Sequence, residues 1–579
     1  MRSSSFGKTT CALLALTWSF PAGPASAQSG PTIQAALDAI AGYAPRAMRE
    51  QGTPGLAIAI TDRTQTLRVI TLGFANVETQ ARVTPETRFA IGSITKSMTA
   101  LALLQLHDAG RLDLKAPVRR YLPWFSIESG GRPILVHELL SHTAGLPDDY
   151  AAEIGYKYDI VALRSAHTIF PPGSAWAYSN DGYATLGATL AQLDDRVWSD
   201  SLQARVLGPI GMTASSPVFT PDSMASAATG YQFSENDRPA PLQPALVASP
   251  AMDFVDPAGS VLSTPEDMAR YMRFYLNGGR TAGGTQLVSL ATFAAMTRAD
   301  TLANGKPAGS PGAELAEWPE FYTRYGYGLA IFDQDGDHLV GHTGGVSGYT
   351  ACMQMNLTRG FGVIAFANLV EAPLHPCAVV RYAMAVLRAQ SLGQTLPPQP
   401  APPDPARVAN AAAYPGTYTS SDGSSVRVVA NGNYLQLLDA GKVIALYPRG
   451  RNLFWADDPK YALFLLSFGR DRGGKVVEFT YGPQWYANER YRGPHAFAHP
   501  AVWNALVGRY ENTYGGQPAI TRVVIVKDRL TLDGTDTLRP LRDGTFALGD
   551  SIVRFDAYAG NAPQRLSIDG TPLYRVELP

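Results

Sequence analysis

The pattern of apolar and polar positions divides the chain into a mixed region of helices and strands followed by a region of strands. Apolar residues recur at helical spacing over 33–50 and again from Ser93 onward, which predicts two amphipathic helices. Strands are predicted at 55–60, 65–73, 326–332, 338–343, 348–356 and 361–368, with a last helix at about 375–389. Because strands lie at both ends and helices between them, we expect an α/β (α+β) domain with one antiparallel sheet beside a helical lobe.

The second region follows a proline-rich stretch and contains a repeat. Six of the nine residues at 397–405 are proline, a composition typical of an extended spacer. Gly416 and Tyr418 recur 92 residues later as Gly508 and Tyr510, among short strands separated by Asp-Gly turns. Barrel closure would remove the exposed edge strands, so two barrel-like domains are favoured over open sheets. The predicted boundaries are a first domain at 28–395, a linker at 396–407, and two small all-β domains at 408–497 and 501–579.

The N-terminus has the pattern of a secretory signal. Arg2 and Lys8 flank the start, an apolar stretch follows at 11–20, and the small residues Ala25 and Ala27 suit a signal peptidase. We expect residues 1–27 to be removed and the mature protein to be periplasmic or secreted. The sequence has no run of 18 apolar residues, so we expect no transmembrane segment.

Composition narrows the classes of function. Hydrophobic residues make up 45% and charged residues 17%, as in ordinary globular proteins. The 48 Lys and Arg residues nearly balance the 49 Asp and Glu residues, so we expect no nucleic-acid partner. Cys352 and Cys377 remain after the signal segment. They could be bridged in an oxidising compartment or remain two buried thiols, because the sequence does not give their distance.

The first candidate for chemistry is the pair Ser93 and Lys96, at the start of a predicted helix. Their spacing places both side chains on one face. A lysine in the first turn opposes the helix dipole, and desolvation would favour its neutral form, which could accept the serine proton. The N–H groups at the helix start could stabilise an oxyanion. A helix cap followed by a solvent-facing lysine is the alternative, and Ser5 and Lys8 match the same short pattern.

The second candidate is Tyr178-Ser-Asn180, which follows a loop and precedes a helix. A tyrosine hydroxyl near a lysine can pass a proton to a leaving group, and an asparagine amide can orient a carbonyl. A buried tyrosine in a turn and a helix-capping asparagine form the alternative. By itself this pattern is weak, because Tyr486 and Asn488 repeat it in the β region.

The third candidate is His342-Thr343-Gly344-Gly345, at the end of an apolar strand. Two glycines allow a substrate backbone to approach, and a free strand edge can pair with a peptide-like substrate. The N–H of Gly345 could be an oxyanion donor opposite that of Ser93. A hairpin end with an exposed histidine is the alternative.

Together, the three motifs resemble those of class C β-lactamases and their penicillin-binding-protein relatives. The gaps between the motifs are 85 and 164 residues, and the segments at 87–97, 138–147 and 171–180 are similar as well. The likeness covers about 45–390, and the two trailing β domains are similar to the architecture of bacterial D-aminopeptidases. It implies a β-lactamase/transpeptidase-like fold in which Ser93 is acylated, Lys96 and Tyr178 handle protons, and water releases the acyl group. The resemblance also implies that Asn180 contacts the substrate amide.

His342 departs from the family pattern. β-Lactamases and DD-peptidases usually carry a lysine at this position, where it meets a substrate carboxylate. Neutral imidazole binds a carboxylate less well than a fixed cation, and its charge depends on pH, so penicillin hydrolysis is less favoured. If His342 binds an anionic substrate group as an imidazolium, activity should fall as the pH rises through its pKa.

The resemblance therefore predicts an exported serine hydrolase, with a D-aminopeptidase-like peptidase acting on small peptides or amides as the first hypothesis. An esterase of this family and a true β-lactamase or DD-carboxypeptidase are the alternatives, and cell-wall fragments are a further class of partner. A non-catalytic binding protein that keeps a penicillin-binding pocket is the alternative of another class.

Other motifs do not support a different chemistry. The acidic run at 333–337 resembles a calcium loop, but His338 and Gly344 stand where Gly and Glu are needed. The sequence has no G-x-S-x-G, H-E-x-x-H or close Cys/His cluster, so we expect no cofactor or metal. We interpret His142 as a structural residue that ends a short helix, with Gly145 as the cap.

Overall fold

The computed structural model describes most of the chain beyond the predicted signal segment. Residues 1–27, predicted as that segment, lie outside the described residues. None of the described helices has both the length and the apolarity needed to cross a membrane. The described residues are 30–147, 155–234, 238, 245–249, 256–309, 324–370, 376–402, 404–450, 452–512, 519–549, 551–568 and 571–576.

The first domain contains the helices and one large sheet. Its helices are α1 Ile33–Glu50, α2 Thr95–Asp108, α3 Val136–Leu140, α4 Tyr156–Ala162, α5 Asn180–Asp194, α6 Trp198–Leu202, α7 Gly208–Ile210, α8 Pro221–Met224, α9 Pro265–Leu276, α10 Leu290–Met296 and α11 Cys377–Ser391. Its strands are β1 Gly55–Asp62, β2 Thr66–Asn76, β3 Ala81–Arg82, β4 Phe89–Ala90, β5 Tyr231–Phe233, β6 Leu246–Ala248, β7 Leu262–Ser263, β8 Ala330–Gln334, β9 Asp337–Val346, β10 Tyr349–Asn356 and β11 Phe361–Ala367.

The large sheet is antiparallel and is built from both ends of the domain. Its strand order is β3-β2-β1-β11-β10-β9-β8, so β1 near the N-terminus pairs with β11, the last strand of the domain. This confirms the predicted α/β (α+β) arrangement. The strand predicted at 326–332 begins instead at Ala330, because Gly328 adopts a φ of 74° and turns the chain just before it.

Alternate residues of β1 contribute to two separate cores. Leu56, Ile58 and Ile60 pack in the core that includes α1 and α11, whereas Ala57 and Ala59 pack in the core of the helical lobe. All five are buried. A strand that is covered on both faces is apolar throughout, as this one is, and the side-chain alternation then assigns each residue to one core.

The helix that follows Ser93 is buried more completely than its sequence pattern indicates. The predicted apolar stripe is buried, but so are Ser97, Thr99 and Leu103, which lie between its members. The polar members are satisfied inside the core. Ser97 bonds to the Ile94 carbonyl at 2.7 Å. The hydroxyl of Thr99 donates to the Pro257 carbonyl at 2.8 Å. The helix is therefore the central helix of the lobe.

The tail contains two β units with the same meander plan. Strands β12–β19 form a closed barrel in which the first and last strands pair. Strands β20–β28 form a nine-stranded sheet in which β20 pairs with β28, while its two ends are the consecutive strands β23 and β24. The prediction of barrel-like domains is confirmed, with the second unit open at one seam.

The first unit comprises β12 Gly416–Ser420, β13 Ser425–Asn431, β14 Tyr434–Asp439, β15 Lys442–Gly450, β16 Leu453–Ala456, β17 Leu466–Arg470, β18 Val476–Tyr481 and β19 Gln484–Asn488. The second comprises β20 Gly508–Asn512, β21 Ala519–Val526, β22 Arg529–Leu532, β23 Asp536–Thr537, β24 Arg539–Pro540, β25 Phe546–Leu548, β26 Ser551–Ala559, β27 Ala562–Ile568 and β28 Thr571–Arg575.

The two cysteines of the first domain are joined. Cys352 lies in β10 and Cys377 is the first residue of α11, with their Cα atoms 5.2 Å apart. Both are buried in the core between the sheet and the α1–α11 pair. Of the two arrangements that the sequence left open, the structure has the disulfide, and a loop of this length adds on the order of 3 kcal/mol to stability.

Candidate active site

The first motif lies where a short 3-10 turn leads into α2. Ser93 is in the turn Gly92–Ile94 and is half-buried, whereas Lys96 lies in the first turn of α2 and is completely buried. The Lys96 Nζ donates to the Ser93 Oγ at 3.0 Å. The three-residue spacing therefore places the two side chains in direct contact, as predicted.

Lys96 makes two further hydrogen bonds that fix its ammonium group. Its Nζ donates to the Asn180 Oδ1 at 2.6 Å and to the Ala258 carbonyl at 3.0 Å. Asn180 is the first residue of α5, which is capped by the Ser179 side chain accepting from the Gly182 N–H. Asn180 of the second motif therefore contacts Lys96 of the first motif from the start of α5. Together with the bond to Ser93, these bonds use the three donors of an ammonium group.

Tyr178 lies beside Lys96 in the loop that precedes α5. Its ring centroid is 4.8 Å from the Lys96 Nζ, within the range of a cation–π contact. The ring of His342 from the third motif is 6.2 Å from the same tyrosine ring. The structure therefore brings residues of all three predicted motifs together at one place.

His342 is completely buried and is bonded on both sides of its ring. Its Nδ1 faces the Thr343 carbonyl, so this nitrogen carries the proton, and its Nε2 accepts from the Tyr325 hydroxyl at 2.8 Å. Burial and, to a smaller degree, the charge of Lys96 lower the pKa of His342 to about 3, against the opposing effect of the bond to the Thr343 carbonyl. Of the two charge states considered for His342, the structure therefore favours the neutral imidazole, bound to Tyr325.

The two glycines of the third motif have different surroundings. A side chain at Gly344 would clash with the carbonyl of Ile91, and one at Gly92 would lie 2.6 Å from the Gly345 nitrogen. Gly345 itself is exposed, and a Cβ there would meet nothing within 4 Å. Only backbones without side chains can approach this closely, so the turn at Ser93 packs directly against β9.

The two ladders of β9 end at different residues near Ser93. The pairing of β9 with β8 ends at Gly341, whereas its pairing with β10 continues to Val346. Among the described strands, therefore, the third motif lies beyond the end of the β8–β9 ladder. Thr343, Gly344 and Gly345 thus lie on a strand segment of the kind that can accept an added strand.

Two members of the site are not evident from the sequence. Ala258 contributes only its main-chain carbonyl, which carries no residue-type signal. Tyr325 is one of 27 tyrosines and has no motif spacing that marks it. Among the described residues, no cluster of His, Cys, Asp and Glu side chains could hold a metal ion.

Comparison with known proteins identifies the family. The family model described as Beta-lactamase matches residues 40–382, more than half of the chain, and the protein belongs to this family. Penicillin-binding protein 4 of Amycolatopsis lactamdurans is 29% identical over 384 residues, which is 65% of this chain and 95% of that protein. Protein flp of Staphylococcus aureus is 24% identical over 326 residues, which is 55% of this chain and 60% of that protein.

The likeness in fold extends beyond the matched family region. The structure of the octameric penicillin-binding protein homologue from Pyrococcus abyssi aligns with a TM-score of 0.57 at 24% identity. It covers 79% of this chain and 99% of that chain, a larger share of this chain than the family region occupies. The fold is therefore a β-lactamase/transpeptidase-like domain followed by all-β, barrel-like domains, and the family is one of serine hydrolases.

Proposed function

We propose that the protein is an exported serine hydrolase that forms an acyl-enzyme on Ser93 and cleaves small peptides or amides. The observation that carries this proposal is the contact between the Lys96 Nζ and the Ser93 Oγ at 3.0 Å inside a buried site. A nucleophile and a base within hydrogen-bond reach, with the base held by a third group, are the features that activate a serine.

The partners of Lys96 suit a residue that both accepts and returns a proton. The Asn180 Oδ1 and the Ala258 carbonyl can only accept, so they must face N–H groups whether the lysine is charged or neutral. The Ser93 hydroxyl can accept or donate. A neutral Lys96 can therefore keep both carbonyl contacts and direct its lone pair at the serine proton, and an ammonium can give that proton back without moving.

The remaining steps are assigned to the second and third motifs. Ser93 attacks the substrate carbonyl, and the N–H groups of Ser93 and Gly345 stabilise the oxyanion. Tyr178 passes a proton to the leaving group. Asn180 orients both the substrate amide and Lys96. Water then releases the acyl group, activated by the same lysine and tyrosine. The segment of β9 around the exposed Gly345 binds the substrate backbone.

The substrate class follows from the neutral state of His342. A buried, neutral imidazole bound to Tyr325 supplies no positive charge for a carboxylate, which a penicillin carries. We therefore place a D-aminopeptidase-like peptidase first. An esterase comes second, because an uncharged ester also needs no positive charge at His342. A β-lactamase or DD-carboxypeptidase comes after both.

Export and the domain plan complete the proposal. The disulfide between Cys352 and Cys377 suits an oxidising compartment, in keeping with a signal segment at 1–27 and a periplasmic or secreted protein. We assign catalysis to 28–395, linkage to 396–407 and an accessory role to 408–497 and 501–579.

The test is a comparison of initial rates for purified 28–579 and its Ser93→Ala variant. The substrates are D-alanine p-nitroanilide, a short-chain p-nitrophenyl ester and a chromogenic cephalosporin. Ser93-dependent turnover of the anilide supports the peptidase, and turnover of the ester alone favours the esterase. If no substrate is cleaved and a serine-reactive phosphonate also fails to label Ser93, the protein is a binding protein and the proposal is wrong.

A further inference from the structure

His142 holds the backbone on both sides of Tyr178. It lies in the turn after α3 and is buried, with an exposure of 2%. Its carbonyl accepts from the Ala177 N–H at 3.0 Å, and its Nδ1 accepts from the Ser179 N–H at 3.1 Å. These two N–H groups immediately precede and follow Tyr178 in the chain. A single residue therefore fixes the peptide units that flank the tyrosine.

The His142 ring also packs against the tyrosine itself. The centroids of the His142 and Tyr178 rings are 4.3 Å apart, and the planes are inclined by 33°. Tyr325 and Tyr183 enclose the imidazole at 4.8 and 5.2 Å. The tyrosine ring is therefore in contact with both the imidazole and the Lys96 ammonium.

The protonation state of His142 suits this contact. Burial holds the pKa of His142 well below its usual value, and the charge of Lys96 lowers it further. The ring is thus neutral, and because Nδ1 accepts the Ser179 N–H, the proton lies on Nε2. The acceptor at Nδ1 is present throughout the neutral pH range.

The backbone of His142 has a conformation that is uncommon for residues other than glycine. Its φ is 58°, in the left-handed region, where Asn, Asp and His are the non-glycine residues found most often. This conformation directs the carbonyl and the ring to the same tyrosine loop. Such outliers persist where the surrounding structure requires them, and they concentrate near functional sites.

We propose that His142 is a positioning residue that clamps Tyr178 against Lys96. The proposal rests on the proton-transfer role proposed above for Tyr178. Without the clamp, the Tyr178 loop shifts and the tyrosine ring moves away from its position beside Lys96. Chemistry then slows, while substrate binding along β9 is little affected.

Two variants separate the clamp from general packing. His142→Asn keeps an acceptor close to the Nδ1 position and tolerates the left-handed backbone, whereas His142→Leu fills similar volume without an acceptor. We expect His142→Leu to lower kcat about 10–100-fold, with KM changed less than about threefold. We expect His142→Asn to recover to within about fivefold of the wild-type kcat.

A double-mutant cycle with Tyr178→Phe distinguishes an effect that acts through the tyrosine from a general structural role of His142. If His142 acts through the tyrosine, His142→Leu should cost less than about threefold in the Tyr178→Phe background. Equal losses in both backgrounds, or an Asn variant no better than the Leu variant, would overturn the proposal. Melting temperatures of all variants identify any loss that is due to unfolding.

A structural measurement keeps the test independent of the reaction. The crystal structure of His142→Leu should show Tyr178 displaced by about 1 Å or more, a shift large enough to impair catalysis. An unchanged Tyr178 would refute the clamp even in a fully active enzyme. If no substrate shows Ser93-dependent turnover and the phosphonate does not label Ser93, the proposed function fails, and the crystal structure alone still decides whether His142 holds the loop.

Discussion

The two sides of the candidate site are built on different principles. The helix side, formed by Ser93, Lys96 and Asn180, consists of side chains bonded to one another at 2.6–3.0 Å around a buried amine. The strand side, formed by 342–345, presents main chain beyond the end of the β8–β9 ladder, and its only ionisable group, His342, is buried and bonded to Tyr325.

The difference indicates how the work of the site is divided. A buried amine bonded at fixed distances suits proton transfer, which depends on distance and geometry. Strand main chain around the exposed Gly345 suits recognition of a backbone and tolerates different substrates. We therefore expect changes on the helix side to abolish turnover and changes on the strand side to alter substrate choice. The four predictions below test this division.

The largest effect is expected for Lys96→Met, which keeps the length of the side chain and removes the amine. Without its base, the enzyme should lose on the order of 10³–10⁵-fold in kcat. Initial rates on the best substrate measure this loss, and Lys115→Met, on the exposed Lys115, is the matched control. A loss smaller than about tenfold would remove Lys96 from the mechanism.

The two glycines of the strand side should differ sharply. Gly344→Ala forces a Cβ into the Ile91 carbonyl, so we expect a loss of about 1–3 kcal/mol in unfolding free energy and of about 100-fold in kcat. Gly345→Ala points into open space, so it should keep the unfolding free energy within about 0.5 kcal/mol. Urea unfolding and initial rates check both variants. Similar behaviour of the two variants would mean that β9 and the turn at Ser93 are not packed as closely as described.

His342→Lys tests whether the neutral side chain of His342 determines which substrates are cleaved. A second buried ammonium near Lys96 should lower turnover of uncharged substrates about tenfold. Cephalosporin hydrolysis should rise relative to ester or anilide hydrolysis, because a cation can then meet the carboxylate. The ratio of the rates measures this, with His342→Gln as the uncharged control. An unchanged ratio would show that residue 342 does not face the substrate.

The smallest effect is a change in the pH dependence of stability. The folded pKa of His342 is about 3, below the unfolded value of about 6.5, so its contribution is complete above pH 6.5 and is lost as the pH falls towards 3. In that window His342→Gln should reduce the slope of unfolding free energy against pH by up to about 1.4 kcal/mol per unit. Urea titrations at several pH values measure the slope. An unaltered slope would mean that His342 has the same pKa in the folded and the unfolded protein.

The fold was predictable wherever one local pattern decides an element. The apolar run at 55–60 predicted a strand, and the structure has β1 there. The complete burial of α2 was not predictable, because polar residues such as Thr99 are satisfied by distant carbonyls. Such partners are set by tertiary packing, which a local pattern does not contain.

The sequence predicted the side-chain motifs of the candidate site. It did not predict the residues that hold those side chains in place. The motif order placed Ser93, Lys96, Tyr178 and Asn180 in one site, and the structure brings them together. The sequence left the charge of His342 open, because its burial and its bond to Tyr325 come from residues with no fixed spacing to it. His142 was interpreted as structural, and only its contacts on both sides of Tyr178 indicate more.

The disulfide has a mechanical consequence for the whole molecule. Cys352 is the cross-strand neighbour of Thr343, and Cys377 begins α11, the last helix before the linker to the tail. A pull on the tail is therefore transmitted covalently into the sheet one strand away from the third motif. The bridge therefore ties the helix that leads to the tail, by a covalent bond, to the strand that pairs with the third motif.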